Sequence, residues 1–212
     1  MFIALLTAAF AQAAPAAAPA ATAAQAPAVA GRSLAALPNT TVGYYDVQGK
    51  NAAAIKKSFD AAFAAQNGQL FVWDVAAQVS KRTEGTKCTV QKATAKLTSK
   101  VQLPRHAEPA KVAKPALAAW QAFAASTEAD AAANLWFIHD GLRGVEQAVT
   151  GVDCATLTPA WNAALAKLKA DQAAFAAQRV ATANAAAAAA AAATKPAATS
   201  VSTDEKEKLR RN

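Results

Sequence analysis

The sequence predicts an α+β fold in which a small antiparallel sheet packs against a long antiparallel helix pair, with elements in the order β-α-β-β-α-α. Three observations carry this expectation. The stretches Phe71–Ser80 and Cys88–Pro104 alternate apolar and polar residues with the period of a half-buried strand. Larger apolar residues recur at helical steps from Leu135 to Val149, and again from Trp161 to Phe175. Turn or cap signals stand between these stretches, at Gly68, Gly85, Gly151 and Thr158-Pro159.

Each element follows from local chemistry. "TTVGYYDVQG" (Thr40 to Gly49) is rich in β-branched and aromatic residues and ends in Gly, so it reads as a strand. Asn51 is an N-cap for a helix that places Ile55, Phe59 and Phe63 on one stripe, and Gly68 closes it. "FVWDVAAQVS" directs Phe71, Trp73, Val75, Ala77 and Val79 to one side. After a turn near Gly85, "CTVQKATAKLTSKVQLP" places Ala93, Ala95, Leu97, Val101 and Leu103 on one face and Lys92, Thr94, Lys96, Thr98 and Lys100 on the other. The two runs predict an antiparallel hairpin. A lysine row of this kind serves either as a solvated face that blocks edge-to-edge pairing or as a strip that binds an anion. Pro115 suits the first turn of a helix. That helix carries Trp120, then Leu135, Ile138, Leu142, Val145 and Val149 on one face, with Gly141 and Gly144 each weakening it by about 1 kcal/mol. The last helix lines Trp161, Leu165, Leu168 and Phe175 along its inner side and packs antiparallel to the one before it.

The ends differ in composition. Residues 1–13 resemble a secretory signal, with an apolar run from Phe2 to Phe10 and small-x-small sites at Ala9–Ala11 and Ala11–Ala13, although the basic n-region is missing. Residues 14–37 are an Ala/Pro-rich linker, and 38–182 form the folded domain. Residues 183–212 extend the last helix through the alanine run Ala185–Ala193, stop at Pro196 and end in a disordered charged tail. These features predict export to the periplasm or outside the cell. No segment of the mature chain is long and apolar enough to span a membrane.

Bulk numbers narrow the function. The 54% hydrophobic content is mostly alanine, so the core rests on sparse Trp, Phe, Leu, Ile and Val. A net charge of +8 favours an anionic partner, an envelope polymer or nucleic acid, and also keeps an alanine-rich surface soluble. The even cysteine count suggests a disulfide in an exported chain, and no CxxC pair is present for metal or redox work. There is no P-loop and no G-x-G-x-x-G. The sequence has only two histidines, His106 in the "LPRHAEP" loop and His139 in "LWFIHDGLRGVEQ". A helical zinc site needs two ligands at i and i+4 plus a third from elsewhere. The residue four positions after His139 is Arg143, which repels a cation, and Asp140 is turned about 100° away around the helix axis. Asp130 and Asn134 form an i,i+4 pair suited to a local hydrogen bond, and His139, Arg143 and Glu146 to a small polar cluster.

Taken in order, "YYDVQGKNAAAIKKSF", "KCTVQKATAKLTSKVQLP", Trp120 and "DCATL" around Cys154 resemble a bacterial domain-of-unknown-function family described as predicted secreted zinc-dependent proteases. The resemblance covers roughly residues 40 to 180. It implies that Cys88 and Cys154 pair and that the helix opened by Trp120 should carry H-E-x-x-H. In the family's spacing from that Trp, the first His falls on Asp130, the Glu on Ala131 and the second His on Asn134. The other register, matching His139 and Asp140, puts Arg143 at the second His and leaves too few residues before Cys154. Both registers lose the second His. The family's signals near the end of the last helix are absent too, where "FAAQRVATA" stands around Phe175. The expectation is therefore a non-catalytic binding or scaffold module without metal or other cofactor, its partner an unknown protein or envelope component. The alternatives are an active zinc metalloprotease using His139 and Asp140, and an electrostatic binder of an anionic envelope polymer or nucleic acid.

Overall fold

The computed structural model describes residues 32–194, with side chains through residue 190. The expected signal segment, most of the Ala/Pro-rich stretch, Pro196 and the charged tail lie outside the described residues. Contacts divide the chain into two compact units, and the domain below belongs to the first, which runs to Gln178. From Arg179 the last helix belongs to the second unit and continues through the alanine run to Thr194.

The elements are β1 (Thr40–Val47), α1 (Ala52–Ala65), β2 (Phe71–Glu84), β3 (Lys87–His106), α2 (Lys114–Val149) and α3 (Leu157–Thr194), with 3-10 turns at Leu34–Ala36 and Pro109–Lys111. The order β-α-β-β-α-α is the expected one. The sheet is not: its strand order is β1-β3-β2, β2 pairs antiparallel with β3, and β1 pairs parallel with it. The expected all-antiparallel sheet is therefore mixed. The reason is topological. The α1 connection carries the chain past the slot between β1 and β2, and β3 later fills that slot after its hairpin turn. Alternation within a strand holds no record of its neighbour's direction.

Local chemistry sets the element ends. The Asn51 side chain accepts a hydrogen bond from the Ala54 N–H at 3.0 Å, the N-cap that starts α1. Gly49, at φ +141°, lies so close to the first turn of α1 that a Cβ there would collide with its backbone. Pro115 lies in the first turn of α2.

The core lies between the inner face of the sheet and the helix pair. Leu97, Val101 and Leu103 of β3 meet Leu135, Ile138, Leu142 and Val145 of α2, with Leu168 of α3 behind them. Three consecutive alanines, Ala131 to Ala133, are also buried on α2. Gly141 admits the Leu168 side chain where any Cβ would clash, so this glycine gives up helix propensity for close helix contact. A second, aromatic cluster joins Tyr45, Phe59, Trp120 and Phe123, with Phe59 edge-on to Phe123 at 5.0 Å. Phe71, Trp73 and Val75 are half-buried as expected, but Ala77 and Val79 are exposed. At that level the protein covers β3, whose Ala93 is buried, and leaves its outer neighbour open.

Two residues assigned to the end of the linker belong to the core. Leu34 and Leu37 are 2% and 4% exposed and pack in the main cluster. The apolar packing thus begins before Pro38.

Candidate functional site

The register that the resemblance implies puts Asp130, Ala131 and Asn134 on the middle of α2. Asn134 is buried, and its Nδ2 donates to the Asp130 carbonyl at 2.8 Å. Its Oδ1 accepts from Gln172 Nε2 of α3, also at 2.8 Å. The expected i,i+4 hydrogen bond is present, directed to the Asp130 backbone. Ala131 is 1% exposed and packed in the core. The Asn134 amide thus ties the two long helices together.

His139 and Asp140 meet differently from the expectation that they are turned apart. His139 Nδ1 lies 3.2 Å from Asp140 Oδ1, and the ring stands edge-on to Trp136 at 5.1 Å. The cation on Asp140 is Arg32, whose Nη1 reaches Oδ2 at 2.8 Å and Oδ1 at 3.1 Å. The same guanidinium stacks over the Trp136 ring at 4.7 Å, and Trp136 Nε1 donates to the Ser33 carbonyl at 3.2 Å. Trp136, His139 and Asp140 share one stripe of α2 by their i, i+3, i+4 spacing. That stripe is the landing site of the segment before β1. The ion pair is largely exposed and contributes little by itself; the buried leucines that follow it hold the segment. The proposed cluster of His139, Arg143 and Glu146 does not form. Arg143 is exposed, and Glu146 Oε1 instead accepts the Ala95 N–H of β3 at 2.7 Å.

His106 is the last residue of β3 rather than a loop residue, and it is buried. Its Nδ1 accepts from the Glu108 N–H at 3.1 Å. Its Nε2 must then carry the hydrogen and donate to the Gly49 carbonyl at 2.9 Å. Both ring nitrogens serve the backbone, and Trp120 stands edge-on to the ring at 6.4 Å. Among the described residues no group of three or more His, Cys, Asp or Glu gathers at a spacing that could hold a metal ion.

Cys88 and Cys154 form the disulfide that the resemblance implies, with a Cα–Cα distance of 5.5 Å. It joins the start of β3 to the α2–α3 loop, which also pairs with the strand through its backbone. Val90 N–H donates to Val152 O at 2.9 Å, Gly151 N–H to Val90 O at 2.8 Å, and Cys154 N–H to Cys88 O at 3.1 Å.

The lysine row is as predicted. Lys92, Thr94, Lys96, Thr98 and Lys100 are all exposed on β3, while Ala93, Leu97 and Ser99 between them are buried. The sequence did not mark Arg32, Gln172 or the buried Tyr45 hydroxyl, and it gave Glu146 a different partner. Tyr45 Oη has no hydrogen-bond partner among the described residues, and burial pushes its pKa up to about 12.

Together these features define a small α+β domain, a mixed three-stranded sheet locked by a disulfide to a long helical hairpin. The chain belongs to a family of bacterial proteins of unknown function, DUF922, whose model matches residues 42–183. No match was found among curated proteins or among solved structures. No helix of the described residues is long and apolar enough to cross a membrane.

Proposed function

We propose that this chain is a secreted or periplasmic, non-catalytic binding module on a protease-like frame. The observation that carries the reading is the use made of Asn134. A residue at the second ligand position of H-E-x-x-H is spent on a buried amide bond to Gln172, and the neighbouring general-base position is a core alanine. The two histidines support the same reading, since one serves the backbone at both nitrogens and the other lies beside a carboxylate already paired with Arg32. A disulfide suits an oxidising compartment.

The test is elemental analysis of the purified full-length chain alongside a proteolysis assay with and without chelator. The expected result is substoichiometric zinc and no chelator-sensitive cleavage. Stoichiometric zinc, with cleavage that the chelator abolishes, overturns the reading. In that case His139→Ala distinguishes the site: loss of metal in this variant assigns it to His139 and Asp140.

A further inference from the structure

We propose that the solvent-facing side of the sheet is a binding strip for a linear acidic polysaccharide, with Lys92, Lys96 and Lys100 as its cationic contacts. This rests on the binding-module reading and names its surface and partner class.

The argument starts from where the lysines are. A lysine row on an edge strand is explained by protection against edge pairing. β3 is flanked by strands on both sides only from Ser99 onward, so that explanation does not cover Lys100, while at Lys92 and Lys96 the side away from β2 carries single contacts rather than a strand. One side of β3 is occupied by β2 from Lys87 to Val101. The other is taken by β1 from Ser99 onward, by the Glu146 carboxylate at Ala95 and by the Val152 carbonyl at Val90. The true edge strand β2 has no lysine between Phe71 and Ser80. The lysines stand out from the sheet plane, away from the buried side that carries Leu97 and Val101.

Their spacing is regular. Four residues of strand put successive lysines about 13 Å apart, so the row spans roughly 27 Å. Directly across on β2 lie Ser80, Ala76 and Val72, none of which neutralises a lysine. No ion pair to any of the three lysines is formed among the described residues. One carboxylate faces the row: Asp74, opposite Thr98 and diagonal to Lys96 and Lys100.

The side chains between the lysines choose among anionic partners. Thr94 and Thr98 alternate with the lysines, and Gln78 faces Thr94 across the strands. The strip therefore alternates a cation with hydroxyl and amide groups, which matches a chain that alternates carboxylates with sugar hydroxyls. Single-stranded nucleic acid is held by aromatic platforms that stack bases, and this strip between Val72 and Ser80 and between Lys92 and Lys100 exposes none on its outer face. It contains no arginine for bidentate phosphate contact. An anionic membrane is bound through inserted apolar side chains as well as charge, and of the exposed large apolar residues Tyr44, Val72 and Val79 only Val72 lies directly across from one of these lysines. A net charge of +8 draws polyanions to the surface in general; the strip gives them a register.

The experiment measures binding of the full-length chain to alginate, a linear polyuronate, beside dextran, inorganic polyphosphate and an oligothymidylate. The expected order places alginate tightest and dextran undetectable. Neutralising one lysine (K92Q, K96Q or K100Q) should weaken alginate binding about fivefold, and the triple variant about a hundredfold. A control triple with the same charge change elsewhere, K57Q/K111Q/K167Q, should weaken it by less than about threefold, since its lysines lie off the strip. Thr94→Val with Thr98→Val should weaken alginate and leave polyphosphate unchanged. All are surface positions, and melting curves confirm folding. Equal losses in the two triple variants, absence of alginate binding, or tighter binding of polyphosphate or oligothymidylate overturns the proposal. Zinc content and proteolysis are read on the same samples. Lysine-dependent alginate binding by a zinc-loaded, proteolytic chain refutes the non-catalytic reading and leaves the strip standing.

Discussion

Replacing Asp130, Ala131 and Asn134 with His, Glu and His places an H-E-x-x-H sequence on α2. The structure gives the cost of the changes at Ala131 and Asn134. Ala131 is 1% exposed and sits against the sheet, so Glu there overpacks the core by about 1–3 kcal/mol. Desolvating its carboxyl, even protonated, adds about 1–3 kcal/mol. Asn134→His removes the amide bond to Gln172, worth about 1 kcal/mol. The sum is about 5 kcal/mol, a large share of a typical domain's stability. For a domain of this size it corresponds to a fall in Tm of about 10–20 °C. Zinc should return little of this, because His106 serves the backbone at both ring nitrogens and His139 lies beside a carboxylate paired with Arg32. The assay is thermal melting followed by circular dichroism, with and without zinc, and elemental analysis of the variant. A Tm within about 3 °C of the parent would show that position 131 is not part of a packed core. Stoichiometric zinc that raises the Tm would show that the metal frame survives, and either result refutes the reasoning.

The remaining predictions concern the frame. Cys88→Ser with Cys154→Ser opens a crosslink spanning 66 residues, and the chain-entropy model gives a loss of about 4 kcal/mol in urea unfolding; a loss under about 1 kcal/mol contradicts it. Tyr45 has its folded pKa raised by burial to about 12 against an ordinary value near 10, so its contribution is intact below about pH 10. Above that the unfolded state ionises first, and stability falls by about 1 kcal/mol per pH unit until the folded pKa is reached. Tyr45→Phe should remove this alkaline slope and leave neutral-pH stability unchanged or slightly higher, as chemical unfolding across pH 8–11 would show. His106→Ala strands the Gly49 carbonyl and the Glu108 N–H and should cost about 3 kcal/mol, with His106→Gln recovering part of it. Nitrogen NMR of the parent should show hydrogen on Nε2; hydrogen on Nδ1 contradicts the bonding described.

The sequence carried the elements further than their arrangement. The inner and outer faces of β3, the Asn51 cap and the inner stripe of α2 were all legible, because each is a local pattern of burial or capping. The parallel pairing of β1 with β3 was not, since it depends on where α1 leaves the chain. Glu146 binding the Ala95 N–H joins residues 51 apart with no periodic signal. Buried alanines were undervalued for a physical reason. Ala131 to Ala133 contribute little area, yet their small size lets other elements approach α2 closely. At the candidate site, the residue types excluded an i,i+4 histidine pair. What occupies its place, a helix-to-helix amide bond on one stripe and an arginine clasp on the next, needed the third dimension.

The clasp formed by Arg32, Leu34 and Leu37 bears on how the domain should be cut for laboratory work. The family match begins at residue 42, and a fragment trimmed to it would discard two leucines from the interior. At about 1.5–3 kcal/mol for each buried leucine, that omission alone approaches the whole margin by which many domains stay folded. It would also leave a greasy slot on α2 for other molecules to stick to. A fragment starting ahead of Arg32 keeps that slot filled by its own chain.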